Sequence, residues 1–312
     1  MILTKLVQLY IPLIGNIALG WLCSRWIPAQ TPFYLGKGLF LLGVPISVFV
    51  FLRRTDLSDS IWLAGAAAWW AMLMGLAIMF YLLRRGLYRA GLPPTQGTTL
   101  LAAMLGNTGY LGFPITLTLF GDSGFAWALF YDLLGTVLGA YGAGALIASH
   151  YGTKRHDGKG FVGVLAVVQQ ALRNPTIWAF GLALLYRDPL PPMLEQGLWA
   201  IAWGTISLCL LLIGMRLSQL TSLQQLRRVA LPLCLKMLLL PLIMWGMMFG
   251  LSIPPIAKQV IVLQTAMPPA FATVVLTEHY QLDPEFAVAV VAIGTLGLLL
   301  TLPLWLWLTS VF

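Results

Sequence analysis

Long apolar stretches separated by short polar intervals run the whole length of the chain. At roughly 20 apolar residues per bilayer crossing they predict ten helical spans, at about 6–26, 33–52, 61–83, 97–120, 124–149, 174–187, 194–215, 229–251, 257–279 and 285–309. The first, preceded by Lys5, is longer than a signal-peptide core and lacks a small-residue cleavage site, so it reads as a retained span. The sixth is short if it begins at Asn174 and Pro175, a good N-cap and first helical residue. Residues 161–173 ahead of it then predict a helix lying along the membrane surface.

Two of these spans carry breakers in their middles. Residues 106–114 read GNTGYLGFP inside the apolar fourth span, and glycine, asparagine and proline are poor helix formers. In hydrocarbon every backbone N–H and C=O needs a partner, so an interruption is tolerated only inside protein or beside water. The fourth span is therefore expected to be unwound at a binding site. The ninth carries Ala266, Met267, Pro268, Pro269 and Ala270 at its centre, and adjacent prolines do not sit in an intact helix interior. The longest polar interval, HYGTKRHDGKG at 150–160, leaves five spans on either side. Five is odd, so the second half enters the membrane from the opposite face, the condition for an inverted repeat. The expected fold is an all-α polytopic membrane protein. Residues 1–149 form a first five-helix repeat, 150–173 a cytoplasmic loop and interfacial helix, and 174–312 a second, inverted repeat.

Composition narrows the class. The chain is 59% hydrophobic and 9% charged, with a formal net charge of +8; a soluble domain carries roughly 25% charged residues. The basic residues cluster between apolar runs, which reads as membrane topology and not as a nucleic-acid surface. Counting loops alternately, eleven of the eighteen Lys and Arg fall on one side and five on the other, with Lys37 and Lys236 left inside apolar segments. The eleven-charge side is expected to be cytoplasmic, which puts both termini outside the cytoplasmic membrane. Cys23, Cys209 and Cys234 stand singly, with no metal spacing, and read as small buried apolar residues. No metal or cofactor is expected, and no phosphate loop marks ATP as the driver.

The residues GNTGYLGFP, LRNPTIWAFGL at 172–182, AMPPAFATVVLTEHYQLDPEFA at 266–287 and the C-terminal TLPLWLWL together resemble the auxin efflux carrier family, which also includes the plant PIN-type auxin carriers. The resemblance covers essentially the whole chain, without the long central loop of the plant proteins. It implies ten spans in two inverted repeats with spans four and nine crossing at unwound centres. It further implies a secondary transporter moving a small organic anion, a carboxylate or auxin-like acid, by alternating access. Asn107 and Thr108 are the substrate ligands it implies.

The candidate substrate site gathers Asn107, Thr108 and Gly109 from one break, Met267, Pro268 and Pro269 from the other, Gln264 and Thr265 just before it, and Ser47 near Pro45 in span two. Gly106, Gly112, Pro114 and Pro268 are read as shaping the crossover. Half-helix N-termini suit a carboxylate and freed carbonyls a proton donor or cation. The bland alternative has Asn107 and Thr108 only satisfying freed backbone groups, and Ser47 or Thr265 returning a hydroxyl to the preceding turn. Asp132, the acidic residue deepest in a span, exchanges a proton or cation, or else lies hydrated at the outer interface; both readings stand open. Lys37 and Lys236 are expected to snorkel to a membrane surface, with pairing of Lys236 to Asp132 or substrate as the lesser option. Glu278, His279, Asp283 and Glu285 form a polar loop without a metal pattern, in which Asp283 and Pro284 cap span ten. Tryptophans such as Trp62, Trp199, Trp305 and Trp307 are expected to anchor at interfaces. The expected partners are a small organic anion, a proton or sodium, the lipid bilayer and a second copy in a homodimer. The rivals are a nontransporting sensor on the same scaffold and, more remotely, an intramembrane hydrolase, for which Asp132 lacks an acidic mate and the histidines lie in loops.

Overall fold

A computed structural model describes residues 2–28, 30–53, 60–152, 174–218 and 226–312. The described residues form helices and no strand beyond a single two-residue bridge. In chain order the helices are α1 (Ile2–Cys23), α2 (Thr31–Arg53), α3 (Trp62–Arg84), α4 (Pro93–Met104), α5 (Thr108–Tyr151), α6 (Pro175–Leu185), α7 (Pro192–Leu217), α8 (Leu226–Met248), α9 (Pro255–Thr265), α10 (Phe271–Tyr280) and α11 (Pro284–Thr309). Among the described residues, six of these, α2, α3, α5, α7, α8 and α11, are long and apolar enough to cross a membrane. The expected fourth and ninth spans do not appear as single helices. The ninth is cut into pieces of 11 and 10 residues, and the fourth begins with one of 12, each about 15–18 Å long against a hydrocarbon core of about 30 Å. The surface helix expected at 161–173 lies outside the described residues.

Local signals explain the helix ends. Asn174 accepts the Thr176 N–H at 2.9 Å with Pro175 in the first turn of α6. Asp283 accepts the Phe286 N–H at 3.0 Å at the start of α11, takes a bond from the Thr95 hydroxyl at 2.7 Å, and lies 4.0 Å from Arg228. In α5 the chain turns at Gly121, whose φ of +62° and ψ of −156° admit glycine readily and other residues only with strain. The turn divides α5 into arms 108–120 and 122–151.

Packing sorts the helices into two groups. α1 lies along α7, where Gly20 faces the Leu211 carbonyl and Gly214 faces the Ile17 carbonyl with no room for a side chain, the small-residue contact by which helices approach closely in lipid. α2 joins this pair and packs on α6. Arg53 closes its end by donating Nε–H to the Tyr186 carbonyl at 2.8 Å and a guanidinium N–H to the Asp188 carbonyl. The second group sets α3 on α4 and on the second arm of α5, α9 on α5, α8 on α11, and α10 on α11. An apolar core runs between the groups, with Phe125 4.8 Å from Phe51 and 5.0 Å from Phe113, ring centre to ring centre.

Two side-chain expectations are corrected. Trp305 is no interface anchor: it is 2% exposed and donates its indole N–H to the Met237 carbonyl at 2.9 Å, while Trp62 and Trp307 stay largely exposed. Of the cysteines, Cys209 is buried, Cys23 partly so and Cys234 exposed, since a thiol is apolar enough to face lipid as well as core.

Candidate functional site

The two interruptions meet. α4 stops at Met104, residues 105–107 are extended or irregular, and α5 starts at Thr108. α9 stops at Thr265 and α10 starts at Phe271. Between them lies a scrap of antiparallel ladder: Asn107 N–H donates to the Pro268 carbonyl at 2.7 Å and Ala270 N–H to the Leu105 carbonyl at 2.9 Å, on either side of the Gly106–Pro269 pair. In such a pair the two central residues exchange no hydrogen bond. Pro269 therefore costs the ladder nothing, and Pro268 contributes only the carbonyl it has. The groups that unwinding frees are thus satisfied by the other break, as the hydrocarbon interior demands.

The first break is narrower than the sequence suggests. Residues 108–114 are helical, and the Asn107 carbonyl accepts from Gly112 N–H at 3.1 Å, five residues on, in a widened first turn. Gly109, Gly112 and Pro114 accordingly belong to a helix, because in lipid only helix closes the backbone's own bonds and weak propensity does not outweigh that. Gly112 keeps its place for a steric reason: a Cβ there would collide with the side-chain amide of Gln264. Gln264 is fully buried and donates to the Thr116 hydroxyl at 3.2 Å.

Asp132 is not at an interface. It is 6% exposed, accepts the Thr108 hydroxyl, and its carboxylate oxygens lie 3.6 and 3.7 Å from where a Gly109 Cβ would stand. Its neighbour Tyr131 reaches the other break. The Thr265 hydroxyl donates to the Ile261 carbonyl at 2.8 Å, so the 3.0 Å contact with the Tyr131 hydroxyl is a bond from Tyr131 to Thr265. Consecutive residues of α5 thus hold one break each. Lys236 does not snorkel. It is 2% exposed and its ammonium donates to the Thr265 carbonyl at 3.2 Å. Lys37 does lie exposed.

The first turn of α5 stands between two clefts. One is lined by Asn107, Tyr110, Arg216 and Phe271 among apolar side chains. The other is lined by Ser47, Gly109, Pro114 and Cys209. Asn107 is 3% exposed, and its side chain makes no capping bond to the helix it begins. Met267, Pro268 and Pro269 are buried, and both proline rings pack against Gly294 of α11, where a Cβ would lie 3.0 Å from each. Ser47 donates to its own helix at the Gly43 carbonyl, 2.9 Å away, with a longer 3.4 Å contact to the Ala202 carbonyl. Glu278 and His279 are exposed, and the described residues contain no cluster of three or more metal-ligating side chains.

Three further residues stand at the site without a sequence signal that places them there. Tyr131 and Tyr110 carry no signal beyond being aromatic in a span. Arg216 is, by sequence, one more basic residue at the end of a span, yet its guanidinium carbon lies 5.0 Å from the centre of the Phe271 ring at the first cleft.

Comparison with known proteins fits this geometry. The chain is 28% identical over 276 residues to an uncharacterized transporter of Methanothermobacter thermautotrophicus, covering 87% of each chain. It is 25% identical over 285 residues to an uncharacterized transporter of Methanocaldococcus jannaschii, covering 88% of each. The family described as membrane transport protein matches residues 2–157 and 161–306, so that a multi-pass membrane chain with two breaks joined at its centre belongs to this family of transport proteins, the auxin efflux carriers.

Proposed function

We propose that this protein is a secondary active transporter that moves a small organic anion, a carboxylate or auxin-like acid, across the cytoplasmic membrane by alternating access. Its ten spans form two inverted five-helix repeats, residues 1–149 and 174–312, with both termini outside. The fourth span is α4 with the first arm of α5, and the ninth is α9 with α10. The observation that carries the reading is the reciprocal pairing of the two breaks, Asn107 to Pro268 and Ala270 to Leu105, in the buried centre of the protein. Broken helices joined at mid-membrane, with polar groups gathered on them, are the common ground of such carriers. That the first turn of α5 lines a cleft on each side also supports it, since small shifts of that turn expose it to one cleft or the other.

In this reading Asn107 supplies amide hydrogen bonds to the carboxylate, and the N-terminus of α10, beside the same cleft, favours negative charge. Thr108 and Gly109 position Asp132, whose carboxyl takes up and releases a proton as the site changes sides. Gln264, Thr265, Met267, Pro268 and Pro269 form the opposing wall. A thermal-shift screen of purified protein against carboxylates, amino acids and indole acids, followed by uptake into proteoliposomes, tests this. Binding without flux for every hit points to the sensor reading instead. Asp132→Asn is expected to flatten the pH dependence of uptake; an unchanged pH profile removes Asp132 from the coupling.

A further inference from the structure

Lys236 has no part in the scheme above, yet it is the most enclosed cation at the crossing. It sits in a widened turn of α8, where Leu240 N–H reaches back five residues to the Leu235 carbonyl. Such turns recur at functional positions in helices. From there its side chain enters the gap between the breaks. The ammonium bonds the carbonyl of Thr265, the last residue of α9. The same nitrogen lies 3.1 Å, and its Cε 3.3 Å, from the place a Cβ on Gly106 would occupy, two residues past the end of α4. A side chain at Gly106 would crowd the tip of this lysine, which would have to give by a few tenths of an ångström.

Each of those two helices ends there on its carbonyl side, and a helix C-terminus carries roughly half a negative charge. Among the described residues Lys236 meets no carboxylate; its bond is to a main-chain oxygen. Asp132 lies instead at the opposite kind of end, the N-terminus of α5, where it takes the Thr108 hydroxyl. Charges and helix ends are therefore matched in sign on both sides of the crossing. In carriers built on broken helices, carbonyl ends of this sort hold the coupling cation.

We infer that Lys236 is a resident cation of the crossover: its ammonium stands where a sodium ion would otherwise neutralise the carbonyl ends of α4 and α9, and the protein has no need of sodium. The inference about the ion's place stands on this geometry; its consequence for coupling rests on the transport reading, since a carrier without a sodium site is left with the proton.

The test is a melting experiment on detergent-purified protein in sodium chloride and in choline chloride at equal ionic strength and pH. Wild type is expected to melt at the same temperature in both. Lys236→Ala is expected to melt lower in choline and to regain several degrees in sodium, because an ion that binds only the folded state raises its stability. Propylammonium chloride, which replaces the missing end of the side chain, is expected to restore it as well. Lys236→Arg, which keeps the charge, is expected to remain indifferent to sodium. A sodium-specific rise in wild type or in Lys236→Arg overturns the inference, as does a folded Lys236→Ala that melts identically in sodium, choline and propylammonium. Should Lys236→Ala not fold, the wild-type and arginine measurements decide. Melting needs neither substrate nor flux, so a protein that carries nothing but shows this pattern would sink the transport reading and leave the resident cation in place.

Discussion

The two breaks solve one problem with different chemistry. The first, at 105–107, is Leu-Gly-Asn and presents side chains: Asn107 on a cleft and, one residue on, Thr108 on Asp132. The second, at 266–270, is made of alanine, methionine and proline and presents main-chain oxygens: the Pro268 carbonyl to Asn107 and, just before it, the Thr265 carbonyl to Lys236. Two adjacent prolines cannot donate, so at 268 and 269 the break offers only carbonyls, and the bond it donates to the first break comes from Ala270. In the proposed reading the first strand of the crossing recognises substrate, while the second braces it with main-chain carbonyls.

Asn107→Ala strikes the recognising side and should show the largest effect. Loss of a hydrogen bond to a charged group, about 1.5–3 kcal/mol, predicts a fall in uptake of about tenfold or more with melting temperature retained. Unaltered uptake would move recognition elsewhere. Gly112→Ala drives a methyl into the Gln264 amide, and overpacking of this kind costs about 1–3 kcal/mol of stability. The double variant with Gln264→Ala should recover much of it, and additive losses in denaturation measurements would show that the two do not touch. Tyr131→Phe removes one bond to the bracing side at Thr265. It should cost about 0.5–1.5 kcal/mol and leave the pH profile of uptake, assigned to Asp132, where it was. Ser47→Ala is the smallest. Its hydroxyl bonds mainly within its own helix, so stability should change by about 0.5 kcal/mol or less, and a large loss of uptake would return Ser47 to the site.

Much of this crossing is legible in the residues themselves. Glycine, asparagine and proline within apolar runs mark where both helices fail, and Asn174 and Asp283 mark where others begin. The extent of the first break is not legible, because the glycines of 109 and 112 that weaken a helix in water are held in one by hydrocarbon. Lys236 misleads for a geometric reason. Its depth in the sequence suits a long side chain reaching for a surface, and only the approach of α9 and the empty flank of Gly106 show that it turns inward. Trp305 misleads likewise, since an indole near a chain's apolar end fits an interface until the Met237 carbonyl is seen to accept its N–H. The pairing of Tyr131 with one break and Asp132 with the other depends on which face of α5 meets which neighbour, and no residue pattern records that.

The elbow at Gly121 bears on how such a machine would move. The arm that begins with Thr108 and the arm that carries Asp132 are joined at one residue with no slack between them, and they are also fastened to each other by the bond between those two side chains. They make a closed triangle, hinged at one corner and latched across the opposite side. If Asp132 carries the proton as proposed, the two arms travel together while this bond is made, and protonation of the carboxylate, which weakens it as an acceptor, lets the corner bend.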